Sequence, residues 1–203
     1  MTSFVELIGV FLTALGFNLI PFAGPSNLFI ASNAVLILSI SDPATLATVG
    51  LLVALGSALA KSVHYLVTFF AGKYLSQKHQ QRLEADYLKI KRWAFLLLFA
   101  AAASPIPDEP VVIPLGLMKY SPVKFFSSYF LGKLLITVLG AFFGAWTNSV
   151  LSEWISPELM ISLSVILTVV ITVILLKVDF GKLADRIFRR KKPETAEQHG
   201  SSA

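Results

Sequence analysis

Apolar residues fill this chain in long blocks, and the breaks between the blocks carry the information. The first block covers 4–40, and its main interruption is Pro21-Phe-Ala-Gly-Pro25. Pro21 and Pro25 lack an N–H and Gly24 loosens the backbone, so one straight helix cannot run through. Two helical arms with a break at Pro21–Pro25 are expected, then a turn at Asp42-Pro43. The block 44–72 exceeds the roughly 20 residues needed to cross a bilayer and predicts a spanning helix. Polar and basic residues dominate 73–92, with Leu83, Tyr87, Leu88 and Ile90 interspersed, which suits a short helix at the bilayer surface.

The block 93–118 is broken at Ser104-Pro-Ile-Pro-Asp-Glu-Pro110, which places Pro105, Pro107 and Pro110 around Asp108 and Glu109. Its arms have eleven and eight residues. At 1.5 Å per residue neither crosses a hydrocarbon core of about 30 Å. A hairpin that enters and returns on one side is expected, and its broken backbone must line protein or a wet cavity. The blocks 125–147 and 159–176 predict two further spans. Gly140 and Gly144 in the former permit close helix packing. The expected fold is therefore all-α, a single membrane domain over 1–177. It holds hairpins at 4–40 and 93–118, spans at 44–72, 125–147 and 159–176, and a basic tail at 178–203 whose end is disordered. A plain loop between two short spans is the alternative for the first break, whose arms have 17 and 15 residues.

Composition agrees. Hydrophobic residues make up 55% and charged residues 14% of 203, and mean hydropathy is +0.73. A soluble domain carries about 25% charged residues. The first charge is Glu6, whereas a cleavable signal opens on basic residues, so the first segment is expected to stay. With no cysteine there is no disulfide, thiolate metal site or thiol nucleophile. The net charge of +5 does not point to nucleic acid, because no basic stripe with aromatic platforms accompanies it.

The 17 basic residues fall mostly at 73–92, at Lys119 and Lys124, and in the tail, while the loops at Asp42 and 148–158 have none. The positive-inside rule puts these basic regions, and the tail, in the cytoplasm. A re-entrant second hairpin keeps them on one side. The two hairpins then open from opposite sides, an inverted repeat with both breaks near the membrane middle, where transporters bind substrate.

The residues at these breaks resemble a known family. Pro21-Phe-Ala-Gly-Pro-Ser-Asn27 resembles the first hairpin motif of the DedA family, also called SNARE-associated or VTT-domain proteins. Gly56, Lys61 and Tyr65 resemble its following helix. Pro105-Ile-Pro-Asp-Glu-Pro-Val-Val-Ile-Pro-Leu-Gly116 resembles its second hairpin, and Phe125-Phe, Gly132, Gly140 and Gly144 its next span. The matches cover roughly residues 15 to 150. The Pro-Asp-Glu form looks most like archaeal members. The resemblance implies a lipid transporter in the cell membrane: bacterial relatives are implicated in returning undecaprenyl phosphate, often with proton dependence, and eukaryotic ones in scrambling. The sequence departs from the bacterial pattern at Asn27, where many members have an acid. Lys61 stands where an acid is common, and Ala60 where a glycine is. The arginines usual around the second hairpin are absent, with Ser104 and Pro110 nearby instead.

Charges inside a bilayer cost about 2.5–3.5 kcal/mol each on insertion scales, so Lys61, Lys133, Asp108 and Glu109 are the candidate site. The lysines suit an anionic headgroup, and the carboxylates would balance them or exchange a proton. Snorkelling, or a structural ion pair, is the plain alternative. His64 and Tyr65 lie three and four residues from Lys61 and are candidates for the same pathway, though a wet helix face shared with Lys61 explains His64 better than a pathway role. Ser26 and Asn27 fit helix caps better than ligands of a substrate.

The leading reading is a flippase or scramblase for anionic or polyprenyl-phosphate lipids, open to proton coupling and needing neither metal nor cofactor. A homo-oligomer is compatible with it. An ion-coupled transporter of a small solute would use the same cavity. A membrane-embedded lipid-phosphate enzyme is disfavoured, since His79 and His199 fall in polar segments and no HExxH, Walker A or GxSxG motif occurs. A partner-binding role for the tail is less economical than a lipid-surface anchor.

Overall fold

The computed structural model describes residues 3–21, 25–105 and 107–151, together with 159, 162, 166 and 170. All secondary structure among them is helical. The order is α1 (Phe4–Leu19), α2 (Asn27–Ile37), α3 (Pro43–Ala71), α4 (Gln77–Ile90), α5 (Ala94–Ala102), α6 (Glu109–Leu117) and α7 (Pro122–Leu151). Among the described residues, two helices are long and apolar enough to cross a membrane, one over Pro43–Tyr74 and one over Pro122–Val150. The expected span at 159–176, the tail and Gly24 lie largely or wholly outside the described residues.

Local chemistry sets the helix ends. Ser3 and Glu6 form a reciprocal capping box at the start of α1. Asp42 caps α3, accepting from the Thr45 N–H at 2.9 Å and its hydroxyl at 2.8 Å. These bonds hold the Asp42 carboxyl below its ordinary pKa. Pro43 and Pro122 open the two long helices, where a missing N–H costs nothing.

The chain repeats one unit with inverted direction. α1 packs on α3 and α5 on α7, whereas α2 crosses to α7 and α6 crosses to α3. Gly56 faces the Phe11 carbonyl in α1, and Gly132 faces the Phe99 carbonyl in α5. α3 and α7 pair antiparallel, because Gly50 meets Val138 while Ser57 neighbours Tyr129. Each crossing arm rides parallel to its long helix: Leu28 and Ser32 of α2 sit on Gly140 and Gly144, and Leu117 of α6 sits beside Gly72.

The ends of α2 and α6 are built alike. The Ile40 N–H reaches the Val35 carbonyl, and the Tyr120 N–H reaches the Leu115 carbonyl. Ser39 and Lys119 stand before them at φ 50° and 54°. This is the Schellman cap, which glycine ordinarily supplies. Ser39→Gly and Lys119→Gly are therefore expected to stabilise the protein by up to about 1 kcal/mol each. A higher midpoint of thermal unfolding in detergent checks this.

Two apolar clusters lie along the central pair. One joins α1 and α2 to Leu46, Val49 and Val53 of α3 and Ala141 of α7. The other joins α5 and α6 to Ala58 and Tyr65 of α3 and to Phe125 and Tyr129 of α7. α4 rests on this second cluster through Tyr87 and Ile90.

Candidate functional site

Along α3, Ser57 and Lys61 lie among the residues that serve the two apolar clusters, and there the break between α5 and α6 meets them. Asp108 takes the N-cap position of α6 and Glu109 its first turn. Lys61 and Lys133 come from the middle parts of α3 and α7. The four charged residues are each 4% exposed. Lys133 Nζ lies 2.8 Å from Asp108 Oδ2, and Lys61 Nζ lies 3.3 Å from Asp108 Oδ1 while also bonding Glu109. The Tyr129 hydroxyl donates to Asp108 Oδ2 at 2.5 Å, and the Lys133 ammonium lies 5.2 Å from the centre of the Tyr129 ring.

Two ammonium and two carboxylate groups sum to zero. That balance is what permits their burial, since an isolated ion there would carry a desolvation penalty of several kcal/mol. The lysines do not snorkel; their amines turn inward to the carboxylates. The cluster is therefore closed upon itself, with each lysine held by a carboxylate of the second break.

A second, uncharged network adjoins it. Asn18 of α1 and Asn27 of α2 exchange amide hydrogen bonds at 2.8 and 3.0 Å across the first break. Asn27 donates to Ser57 Oγ at 3.1 Å, and Ser57 donates to Asn18 Oδ1 at 3.1 Å. Asn18 also donates to the Ala14 carbonyl at 2.7 Å. Ser57 neighbours the Tyr129 hydroxyl, so the two networks are continuous. A polar chain thus runs from one hairpin break to the other.

Several expectations change here. Ser26 occupies the N-cap position of α2 without a capping bond from its side chain, and Asn27 is not a cap, because its amide turns into the core to meet Asn18. His64 does not join the ionic cluster: its Nε2 bonds the Leu19 carbonyl, drawing the ring toward α1. Tyr65 is buried, but its hydroxyl donates to the Tyr120 carbonyl and its ring stacks on Phe125, so it fixes the α6–α7 corner. Pro21, Pro25, Pro105 and Pro107 lie in the two breaks, and Pro110 lies in the first turn of α6. Asn18, Ser57 and Tyr129 are site neighbours that the sequence reading missed. Ser57 and Tyr129 each precede a buried lysine by four residues, one helical turn, which is the signal that would find them. Among the described residues, no group of three or more His, Asp or Glu gathers as a metal site.

A family model for the VTT domain matches residues 24–146, more than half of the chain. The chain belongs to the VTT-domain family. The match runs from the first break almost to the end of α7 and holds every residue of the ionic cluster. VTT-domain proteins are membrane proteins, regarded as transporters or flippases, and are not known as an enzyme family. The apolar helices agree with a membrane location. The chain matches no curated protein and no solved structure.

Proposed function

We propose that this VTT-domain protein carries anionic lipids across the membrane as a flippase or scramblase. The observation that supports it is the closed, neutral cluster of Lys61, Lys133, Asp108 and Glu109 at the meeting point of the broken helices. The headgroup phosphate of an anionic or polyprenyl-phosphate lipid replaces a carboxylate at the lysines. Entry of one negative charge upsets the balance, and uptake of a proton by the displaced carboxylate restores it, which couples transport to protons.

On this reading both hairpins are re-entrant. α5 and α6 have nine residues each, about 14 Å, and α2 has eleven, about 17 Å, each short of a hydrocarbon core of about 30 Å. Their tips end near the middle of α3 and α7, and the acyl chains remain in the bilayer while the headgroup passes. The basic regions, tail included, face the cytoplasm.

The test uses purified protein in proteoliposomes, with fluorescent anionic lipids quenched from outside. Wild-type protein is expected to speed exchange above protein-free vesicles, and Glu109→Gln to lower the rate and flatten its dependence on pH. A wild-type rate equal to that of protein-free vesicles overturns the proposal.

A further inference from the structure

The amide network at the first break is costly for a brace. Asn18, Asn27 and Ser57 are nine-tenths or more buried within apolar packing. Their polar atoms satisfy one another and leave α1 and α2 joined across the break. α1 is already held to α3 by close packing, where Gly56 meets the α1 backbone. The network also abuts the ionic cluster through Ser57 and Tyr129.

Its chemistry differs from that of the lysines. An ammonium only donates hydrogen bonds, which suits phosphate oxygens. Asn18, Asn27 and Ser57 both donate and accept, which suits groups that also do both. Hydroxyls on a headgroup alcohol are such groups. An alkyl phosphodiester has no hydrogen to give the amide oxygens, and would leave them unpaired once the network opens, at a cost in affinity. Ser57 precedes Lys61 by one helical turn, about 6 Å, which is close to the reach of a glycerol unit from its phosphate.

We infer that Asn18, Asn27 and Ser57 form a second subsite, which takes the hydroxyls of a polyol phosphate whose phosphate sits at Lys61 and Lys133. The inference rests on the transport reading above and narrows its substrate to headgroups such as phosphoglycerol or phosphoinositol. In this structure the amides close on each other, just as the lysines close on the carboxylates. The ligand opens both networks together.

The test compares phosphatidylglycerol with phosphatidylethanol, which carry the same single charge and differ in hydroxyls. Wild-type protein in proteoliposomes is expected to move the former roughly tenfold faster, the discrimination of about one hydrogen bond. The variants are Asn18→Leu with Asn27→Leu, which removes both amides of the pair, and separately Ser57→Ala. In each folded variant the ratio is expected to fall to about one. If the double variant does not fold, Ser57→Ala decides. A ratio near one in wild type, or an undiminished ratio in a folded variant, overturns the subsite. A parallel arm measures uptake of glycerol phosphate against ethyl phosphate. Should the protein move neither lipid yet prefer glycerol phosphate, the subsite stands and the lipid reading falls. Should it move none of the four, both fall.

Discussion

Lys133→Met is expected to lower lipid exchange roughly ten- to hundredfold, the value of a charge-assisted bond to phosphate. It is also expected to destabilise the fold, because Asp108 loses its 2.8 Å partner while buried. Breaking a buried pair by removing one partner costs about 3–5 kcal/mol. Lys61 and Tyr129 still hold Asp108, which favours the lower end. The informative comparison is Lys133→Met together with Asp108→Asn. That pair removes one charge of each sign, leaves Lys61 with Glu109, and lets Tyr129 donate to the new amide. Stability is expected to recover while exchange stays low. Recovery of exchange in the double variant would make Lys133 a structural counter-ion and sink its role in binding.

Gly132→Ala carries the second large effect, for a steric reason. A β-carbon there would sit 2.5 Å from the Phe99 carbonyl oxygen and 2.8 Å from the Ala102 β-carbon. Both belong to α5, whose backbone would have to retreat from α7. Overpacking of this kind costs about 1–3 kcal/mol. Since α5 leads into the break before Asp108, the retreat also shifts the α6 tip, and lipid exchange is expected to fall. Gly9 and Gly16 supply the control, because nothing lies within 4 Å of a β-carbon at either. Gly9→Ala is expected to be neutral or to stabilise by up to about 1 kcal/mol, through helix propensity alone. Thermal unfolding of the two variants in detergent checks the contrast. Equal midpoints would mean that α5 does not bear on α7 as described.

Much of the fold was legible because the signals are local. Proline geometry places both breaks whatever surrounds them. Block length separates α3 and α7 from the short arms. Asp42 before Pro43 reads as a turn from those two residues alone, and its capping of α3 appears only in the structure. The repeat was legible in outline, yet its exchange of arms was not, because nothing in the order of blocks says that α2 leaves its own long helix for α7. Among the site residues, Lys61, Lys133, Asp108 and Glu109 stand out because a charge in apolar sequence is rare at any register. Asn18, Ser57 and Tyr129 do not stand out, since amides, serines and tyrosines are ordinary in such helices. For His64 the sequence offers only nearness to Lys61 along the helix, whereas the bond of its ring to the Leu19 carbonyl of another helix is a matter of packing.

The pattern of apolar blocks and breaks determined the helical class, two helices long enough to cross a membrane and the four charges set in apolar sequence. Each follows from the free energy of moving a residue out of water, which a residue carries with it. Which groups meet was decided by tertiary structure alone. Two lysines separated by 72 positions close on the same aspartate because α3 and α7 pack antiparallel and α6 crosses to α3. The amides of Asn18 and Asn27 meet because a break folds α1 back beside α2. Pairing energies depend on distance and on exclusion of water, and neither exists until the chain has packed.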